Sequence, residues 1–378
     1  MSGARLLFLA VSPGLEPLLR DEAAALGLPG PQSVPGGVAL MGGWPEVWRA
    51  NLWLRGATRV LICVAEFRVL HLAQLDKRAR KVDWAATLRP DVPVRIEVTT
   101  RKSRVYHAGA ARERIATAIR ETLGAPVVAA GSEDEPGEAV TLRVRIDDDL
   151  CTISVDTSGE MLHRRGHKQA VNAAPMRETM TALFLAACGY RGGEPVLDPM
   201  CGSGTFPIEA AEIAMNLAPG RSRGFAFERL ASFDPAAWAA MKSEAAALRR
   251  ETPLRFHGSD RDAGAVAMSR ANAARAGVAE VVAFRQAAVS DVVPPEGPPG
   301  LVMVNPPYGA RIGETGRLGP LYAALGATLA SRFSGWRVGL IAADPGLARA
   351  TRLPFGPPDP PIPHGPLKVR LYRTGPLA

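Results

Sequence analysis

The sequence has little of what marks many function classes. Its four cysteines, Cys63, Cys151, Cys188 and Cys201, show neither metal-ligand spacing nor a compact disulfide pattern, which argues against a zinc scaffold or a disulfide-stapled domain. A reduced cytoplasmic protein is the simplest reading. No apolar run is long enough to span a bilayer, and the opening run at 6–11 is too short for a signal-peptide core before Ser12-Pro13-Gly14 breaks it. No membrane partner is expected. There is no Gly-Lys-Ser/Thr, so a Walker A loop is excluded. Internal repeats are absent. His163 and His167 stand at i, i+4, but the intervening Gly166, the basic neighbours and the lack of an acid partner argue against a metal pair. Asp147-Asp148-Asp149 reads as a polar hairpin turn rather than a metal site, so no metal is expected.

What is present is a basic chain of 378 residues, long enough for two or three domains, with the charged and apolar fractions of a globular protein. Its net charge of +8 favours a polyanionic partner. The excess is local: residues 49–114 hold fifteen lysines and arginines against six acids, a balance of +9. Within that segment 94–99 alternates like a half-buried strand, 110–123 reads as a helix, and Arg101-Lys102-Ser103-Arg104 lies between them. A basic loop so placed suits a phosphate backbone, a contact that positions RNA without reading its sequence. Residues 1–50 read as a small α+β layer. The stretch 157–175 reads as a connection between domains, and a helix follows from 176 to 187.

The second half alternates strand and helix, which predicts an α/β architecture with a parallel sheet. A short strand ends at Asp198, followed by Pro199-Met200-Cys201-Gly202-Ser203-Gly204-Thr205 and an Ala-rich helix. Gly202 and Gly204 would let backbone amides approach a ligand at the helix N-terminus. Cys201 reads as a small packing residue, not a nucleophile. The next strand ends at Asp260, a carboxylate suited to ribose hydroxyls. The interval from Asp198 to Asp260 is long, so 221–250, with Phe225, Phe227, Phe233 and Trp238, is expected to be an insertion carrying its own packing.

The apolar run 301–304 predicts a buried strand, stopped by the prolines of Val304-Asn305-Pro306-Pro307-Tyr308-Gly309. Asn305 would then stand at the carboxyl end of a strand, where ligands of open α/β sheets bind. Its amide oxygen and the Pro306 carbonyl suit the N–H groups of an exocyclic base amine, Tyr308 offers a stacking face, and Gly309 allows close approach. Such an amine is a weak nucleophile because its lone pair is delocalised into the ring. Two acceptors on its N–H groups orient that pair and drain the developing positive charge.

This stretch resembles motif IV of amino-methyltransferases. With the glycine turn, it makes 176–378 similar to class I S-adenosylmethionine-dependent methyltransferases of Rossmann-like fold. Ser12-Pro13-Gly14-Leu15-Glu16, Asn51-Leu52-Trp53-Leu54-Arg55 and the basic segment resemble the ferredoxin-like and THUMP regions of RNA methyltransferases. Asp156-Thr157-Ser158-Gly159-Glu160, His163-Arg164-Arg165-Gly166 and Ala174-Pro175-Met176-Arg177-Glu178-Thr179 resemble the 23S rRNA guanine-N2 methyltransferases, with the tRNA guanine-N2 enzymes as near relatives.

The resemblance implies a ferredoxin-like region at 1–50, a THUMP-like RNA-binding domain at 51–157, a linker at 158–175 and a methyltransferase domain at 176–378. It implies S-adenosylmethionine as cofactor, held by Thr179, Asp198, Cys201, Gly202, Gly204, Thr205, Asp260, Arg261, Asp291 and Asn305. Catalysis falls to Asn305, Pro306, Pro307 and Tyr308, and RNA contacts to Arg101, Lys102, Arg104, Arg164, Arg165 and Arg311. One departure stands out: Ala288 occupies the position of an adenine-side Asp, which leaves Asp291 as a substitute or the adenine amine to backbone groups alone. The partner would be 23S rRNA or tRNA, naked or within a ribosomal particle. Adenine-N6 methylation and a non-catalytic RNA-binding assembly role are the alternatives.

Overall fold

The computed structural model describes residues 3–128, 139–168, 176–307 and 315–378. It divides into two compact units, one made of 1–11, 20–162 and 223–243, the other of 12–19, 163–222 and 244–378. In chain order the first half contains β1 (Arg5–Ala10), α1 (Glu16–Ala25), β2 (Gln32–Val34), β3 (Gly37–Gly42), α2 (Trp44–Trp53), β4 (Arg59–Arg68), α3 (Leu72–Ala79), β5 (Val94–Arg101), α4 (Ala108–Leu123), β6 (Val127–Val128), β7 (Val140–Asp147) and β8 (Leu150–Asp156). The second half contains α5 (Glu178–Ala187), β9 (Val196–Asp198), α6 (Thr205–Ala214), α7 (Pro235–Ala247), β10 (Phe256–Asp260), α8 (Ala263–Ala276), β11 (Val282–Gln286), β12 (Leu301–Val304), α9 (Thr315–Arg332), β13 (Arg337–Ala342), α10 (Pro345–Ala350), β14 (Ile362–His364) and β15 (Leu367–Arg373).

The first unit is built on one mixed sheet of eight strands in the order β2-β3-β1-β4-β8-β7-β5-β6. β4 pairs with β1 on one side and β8 on the other, so the ferredoxin-like and THUMP-like regions share a continuous sheet. The join is tied by a buried polar knot. Asn51 donates to Thr157 Oγ1 at 2.9 Å, and Ser158 Oγ donates to Asn51 Oδ1 at 2.7 Å. Asp156, fully buried, is paired by Arg59 at 2.6 Å and Arg143 at 3.2 Å.

The aromatic stretch after α6 behaves differently from the sequence expectation. It does not carry its own packing: residues 223–243 belong to the first unit. Phe227 and Phe233 lie 6.2 Å from Trp48, and Phe225 and Trp238 close the cluster around Phe227 at 5.1 and 5.0 Å. Backbone bonds secure the return, Phe227 N–H to Thr157 O and Ala231 N–H to Thr87 O, each 3.0 Å. The four rings bury too much apolar area to stand alone on a loop, and Trp48 supplies the missing surface.

The second unit carries a seven-stranded sheet in the order β11-β10-β9-β12-β13-β15-β14. Strands β11 to β13 are parallel and β15 runs antiparallel to β13. The order reverses between β9 and β12, which opens a crevice at their carboxyl ends. β12 is apolar throughout and fully buried, as a strand covered on both faces must be. α8 begins on Asp262, whose carboxylate accepts from Gly264 N–H at 2.8 Å, and ends on Gly277 at φ 73°. The sequence predicts a helix at 322–333, but α9 starts well before it, at Thr315, and contains Pro320.

Candidate active site

Register places the site. Leu197 lies opposite Val302 of β12 and His257 of β10, and Gly258 lies opposite Asp198. Asp198, Asp260 and Asn305 therefore share the carboxyl edge of three adjacent strands, at and beside the point where the strand order reverses.

Between β9 and α6 the chain makes a tight turn with Gly202 at φ 53° and Gly204 at φ 81°. A side chain at Gly204 would be strained by that φ and would meet Phe284 at 2.8 Å and Ser269 at 3.0 Å. The turn is held from β10, where Asp260 accepts Gly202 N–H at 3.0 Å and Asp262 N–H at 3.0 Å through its two oxygens. Each oxygen keeps a second lone pair for a hydroxyl. α8 braces the turn from behind, with Ser269 donating to Gly202 O at 2.9 Å and Asn272 to Ser203 O at 3.0 Å. α6 then starts at Thr205 with Gly204 as N-cap and no side-chain cap, so its first amides remain for an anion.

Asp198 is buried and accepts one bond, from Met200 N–H at 2.9 Å. Burial pushes its carboxyl up to about 8, Asp260 adds to the rise, and the Met200 amide opposes it. Such a carboxyl gains from a donor or a cation brought beside it. Thr179, on α5, is also buried and its hydroxyl has no partner among the described residues. Cys201 is buried with its Sγ 3.8 Å from Ser269 Oγ, and burial pushes the thiol well above its usual range. It packs the turn and is no nucleophile.

At the end of β12, Pro306 is buried and Pro307 exposed. Tyr322, fully buried on α9, donates to Pro307 O at 3.3 Å and steadies the turn. The Asn305 amide oxygen is buried and has no hydrogen-bond partner among the described residues. A buried acceptor left open at a strand end is costly unless a ligand completes it. Tyr308 and Arg311 lie outside the described residues.

Comparison with known proteins fits this geometry. Residues 165–354 match the family model described as UPF0020, RMKL-like, methyltransferase domain. The chain belongs to this family. Two further models match upstream, the RlmL ferredoxin-like domain at 6–61 and the THUMP domain at 71–156. The chain is thus a THUMP-bearing, S-adenosylmethionine-dependent RNA methyltransferase of the RMKL-like family. Among solved structures, it is 28% identical to SMU.472, solved with S-adenosylhomocysteine, with a TM-score of 0.88 over 100% of both chains. It is 31% identical to a protein from Listeria monocytogenes described as a predicted N6-adenine-specific DNA methylase, with a TM-score of 0.86 over 99% of this chain and 97% of the other. TrmN from Thermus thermophilus, at 20% identity and a TM-score of 0.74 over 98% and 99%, shares the fold.

The residues present fit such a cofactor: α6 starts without a side-chain cap, the Thr179 hydroxyl has no partner among the described residues, and Asp260 stands at the edge of the turn. Arg261 is exposed beyond Asp260, and its carbonyl accepts from Gln286 at 3.0 Å, linking the ends of β10 and β11. Asp291 is exposed one turn past Ala288, with Ser290 Oγ 3.2 Å from its carboxylate.

The basic residues divide. Arg101, at the end of β5, and Lys102 and Arg104, in the loop that follows, are exposed, yet Arg101 is paired with Asp147 at 2.9 Å and Arg104 lies 3.9 Å from Asp149. Arg164 is exposed. Arg165, expected on RNA, is instead buried at 2% exposure and bonded to Glu209 and Glu212 of α6. A guanidinium enclosed in this way holds the fold and cannot reach a phosphate. Sequence reasoning missed Lys168 and Glu178, an ion pair at 3.4 Å beside the glycine turn. Nothing in their spacing signals it, because Lys168 falls in a stretch read as a connection.

Among the described residues no helix is long and apolar enough to cross a membrane.

Proposed function

We propose that the protein methylates the exocyclic N2 of a guanosine in 23S rRNA. The observation that carries the reading is the buried Asn305 amide oxygen at the carboxyl end of β12, beside β9, which has no hydrogen-bond partner among the described residues. An amide oxygen accepts and cannot donate, so its complement is an N–H such as that of a base amine. S-adenosylmethionine supplies an electrophilic methyl group on a sulfonium sulfur. Asn305 would hold one amine N–H, orient the nitrogen lone pair and take up part of the charge that develops on nitrogen. Pro306 and Pro307 fix the backbone around it, and the Tyr322 bond to Pro307 O holds that turn against α9. The base must leave its stack to enter, at a cost of about a few kcal/mol that phosphate contacts and stacking offset. The RlmL-type N-terminal region supports large-subunit rRNA as substrate.

A second reading, adenine N6, is favoured by the Listeria relative and by the same acceptor, which serves either amine. One experiment separates them. Labelled S-adenosylmethionine is offered to rRNA and tRNA from cells lacking the protein, and the nucleosides are resolved by mass spectrometry. N2-methylguanosine in large-subunit rRNA is the expected product. The same nucleoside in tRNA would change the substrate, and N6-methyladenosine would overturn the base assignment.

A further inference from the structure

Lys168 reaches the cofactor side of the fold from outside every motif. Its ammonium has three N–H donors, and three acceptors surround it: Met176 O at 2.9 Å, Thr205 Oγ1 at 3.0 Å and Glu178 Oε1 at 3.4 Å. The amine is almost enclosed, with 9% of its side chain exposed and 6% of Glu178's. Lys168, Glu178, Ser203 and Thr205 line one cavity of about 10 Å³, enough for a single water.

The chemistry of these groups fixes a direction. An ammonium only donates, so Thr205 Oγ1 is an acceptor towards Lys168 and its own proton must be given elsewhere. Ser203 Oγ, at 3.3 Å, is one recipient. The other direction is the mouth of α6, where uncapped amides and the helix dipole favour an anion. Beside Glu178 on α5 stands Thr179, whose buried hydroxyl has no partner among the described residues. The anionic group of S-adenosylmethionine is its α-carboxylate.

We propose that Lys168 is a positioning residue for the cofactor carboxylate: by donating to Thr205 it turns that hydroxyl into a donor aimed at the carboxylate, and by holding Glu178 it sets where Thr179 presents its own. The inference rests on the cofactor and is independent of which base is methylated.

The test is calorimetric binding of S-adenosylhomocysteine and of 5′-methylthioadenosine, which lacks the amino-acid end. Lys168→Met should weaken S-adenosylhomocysteine by about tenfold or more, as expected for a lost charge-assisted contact, and leave 5′-methylthioadenosine within about twofold. Lys168→Arg should recover most of the loss. In a Thr205→Val background, Lys168→Met should cost little more, because the hydroxyl it orients is gone. Lys168→Met strands the Glu178 carboxylate, so Lys168→Met/Glu178→Gln carries the test if the single variant fails to fold. Equal weakening of both ligands would reduce Lys168 to a structural role, and unchanged affinity for S-adenosylhomocysteine would overturn the proposal.

Discussion

Two side chains at adjacent strand ends are poised in opposite ways, and each makes a prediction. Asn305 presents an acceptor that nothing in the described residues satisfies. Replacing it with alanine should lower the single-turnover methyl-transfer rate by about 10²–10³, the scale of a lost preorganised contact, while RNA affinity stays nearly intact. Equal loss of both would remove Asn305 from catalysis. Asp198 is a carboxyl that burial keeps protonated up to about pH 8. Its unfolded value lies near 4, so between those two values the folded state binds a proton that the unfolded state has released. Stability therefore falls as pH rises through that window and is level for this group above about 8. Asp198→Asn should flatten the decline. Melting temperatures taken from about pH 5 to about pH 9 check it, and parallel curves for the two proteins would mean the carboxyl does not titrate there.

At the scale of elements, the parts legible in the sequence are those fixed by local chemistry. β12 is readable because four apolar residues end at two prolines. The helix predicted at 322–333 is too short: Gly316, Gly319 and Pro320 have the composition of a loop, yet α9 already runs through them. A proline near a helix start forfeits few intrahelical bonds, so tertiary packing of Tyr322, Leu325 and Leu329 prevails over propensity. Arg165 escapes a sequence reading for a related reason, since a charged residue among basic neighbours gives no local sign of burial. Its partners, Glu209 and Glu212, lie one turn apart on α6 and are themselves buried. Arg165→Met should leave both carboxylates without this guanidinium in the interior and cost about 3–5 kcal/mol in denaturant unfolding. The salt dependence of RNA binding should not change. A changed slope with unaltered stability would return Arg165 to the RNA surface.

Over the whole molecule, charge and chain path both depart from a linear reading. The basic segment 49–114 carries +9, but its Arg101 and Arg104 face Asp147, at the end of β7, and Asp149, in the turn after it. If that loop follows a phosphate backbone, Asp147→Asn/Asp149→Asn should tighten RNA binding at low salt, whereas Lys102→Ala should reduce the slope of log Kd against log salt by about 0.7–0.9. Unmoved affinity in both variants would place the RNA elsewhere. The stretch 158–175 reads as a linker between domains, but residues 223–243 return to the first unit. There Phe225, Phe227, Phe233 and Trp238 complete a cluster on Trp48, a contact between residues far apart in sequence that no local pattern encodes. A fragment ending at 162 keeps the whole eight-stranded sheet and still lacks these four rings. It should melt well below the first transition of the full chain and bind a dye for exposed apolar surface, while the same fragment joined through a short linker to 223–243 should recover cooperative melting and lose the dye signal. Equal stability of the two fragments would show that the returning segment is a passenger and not part of the core.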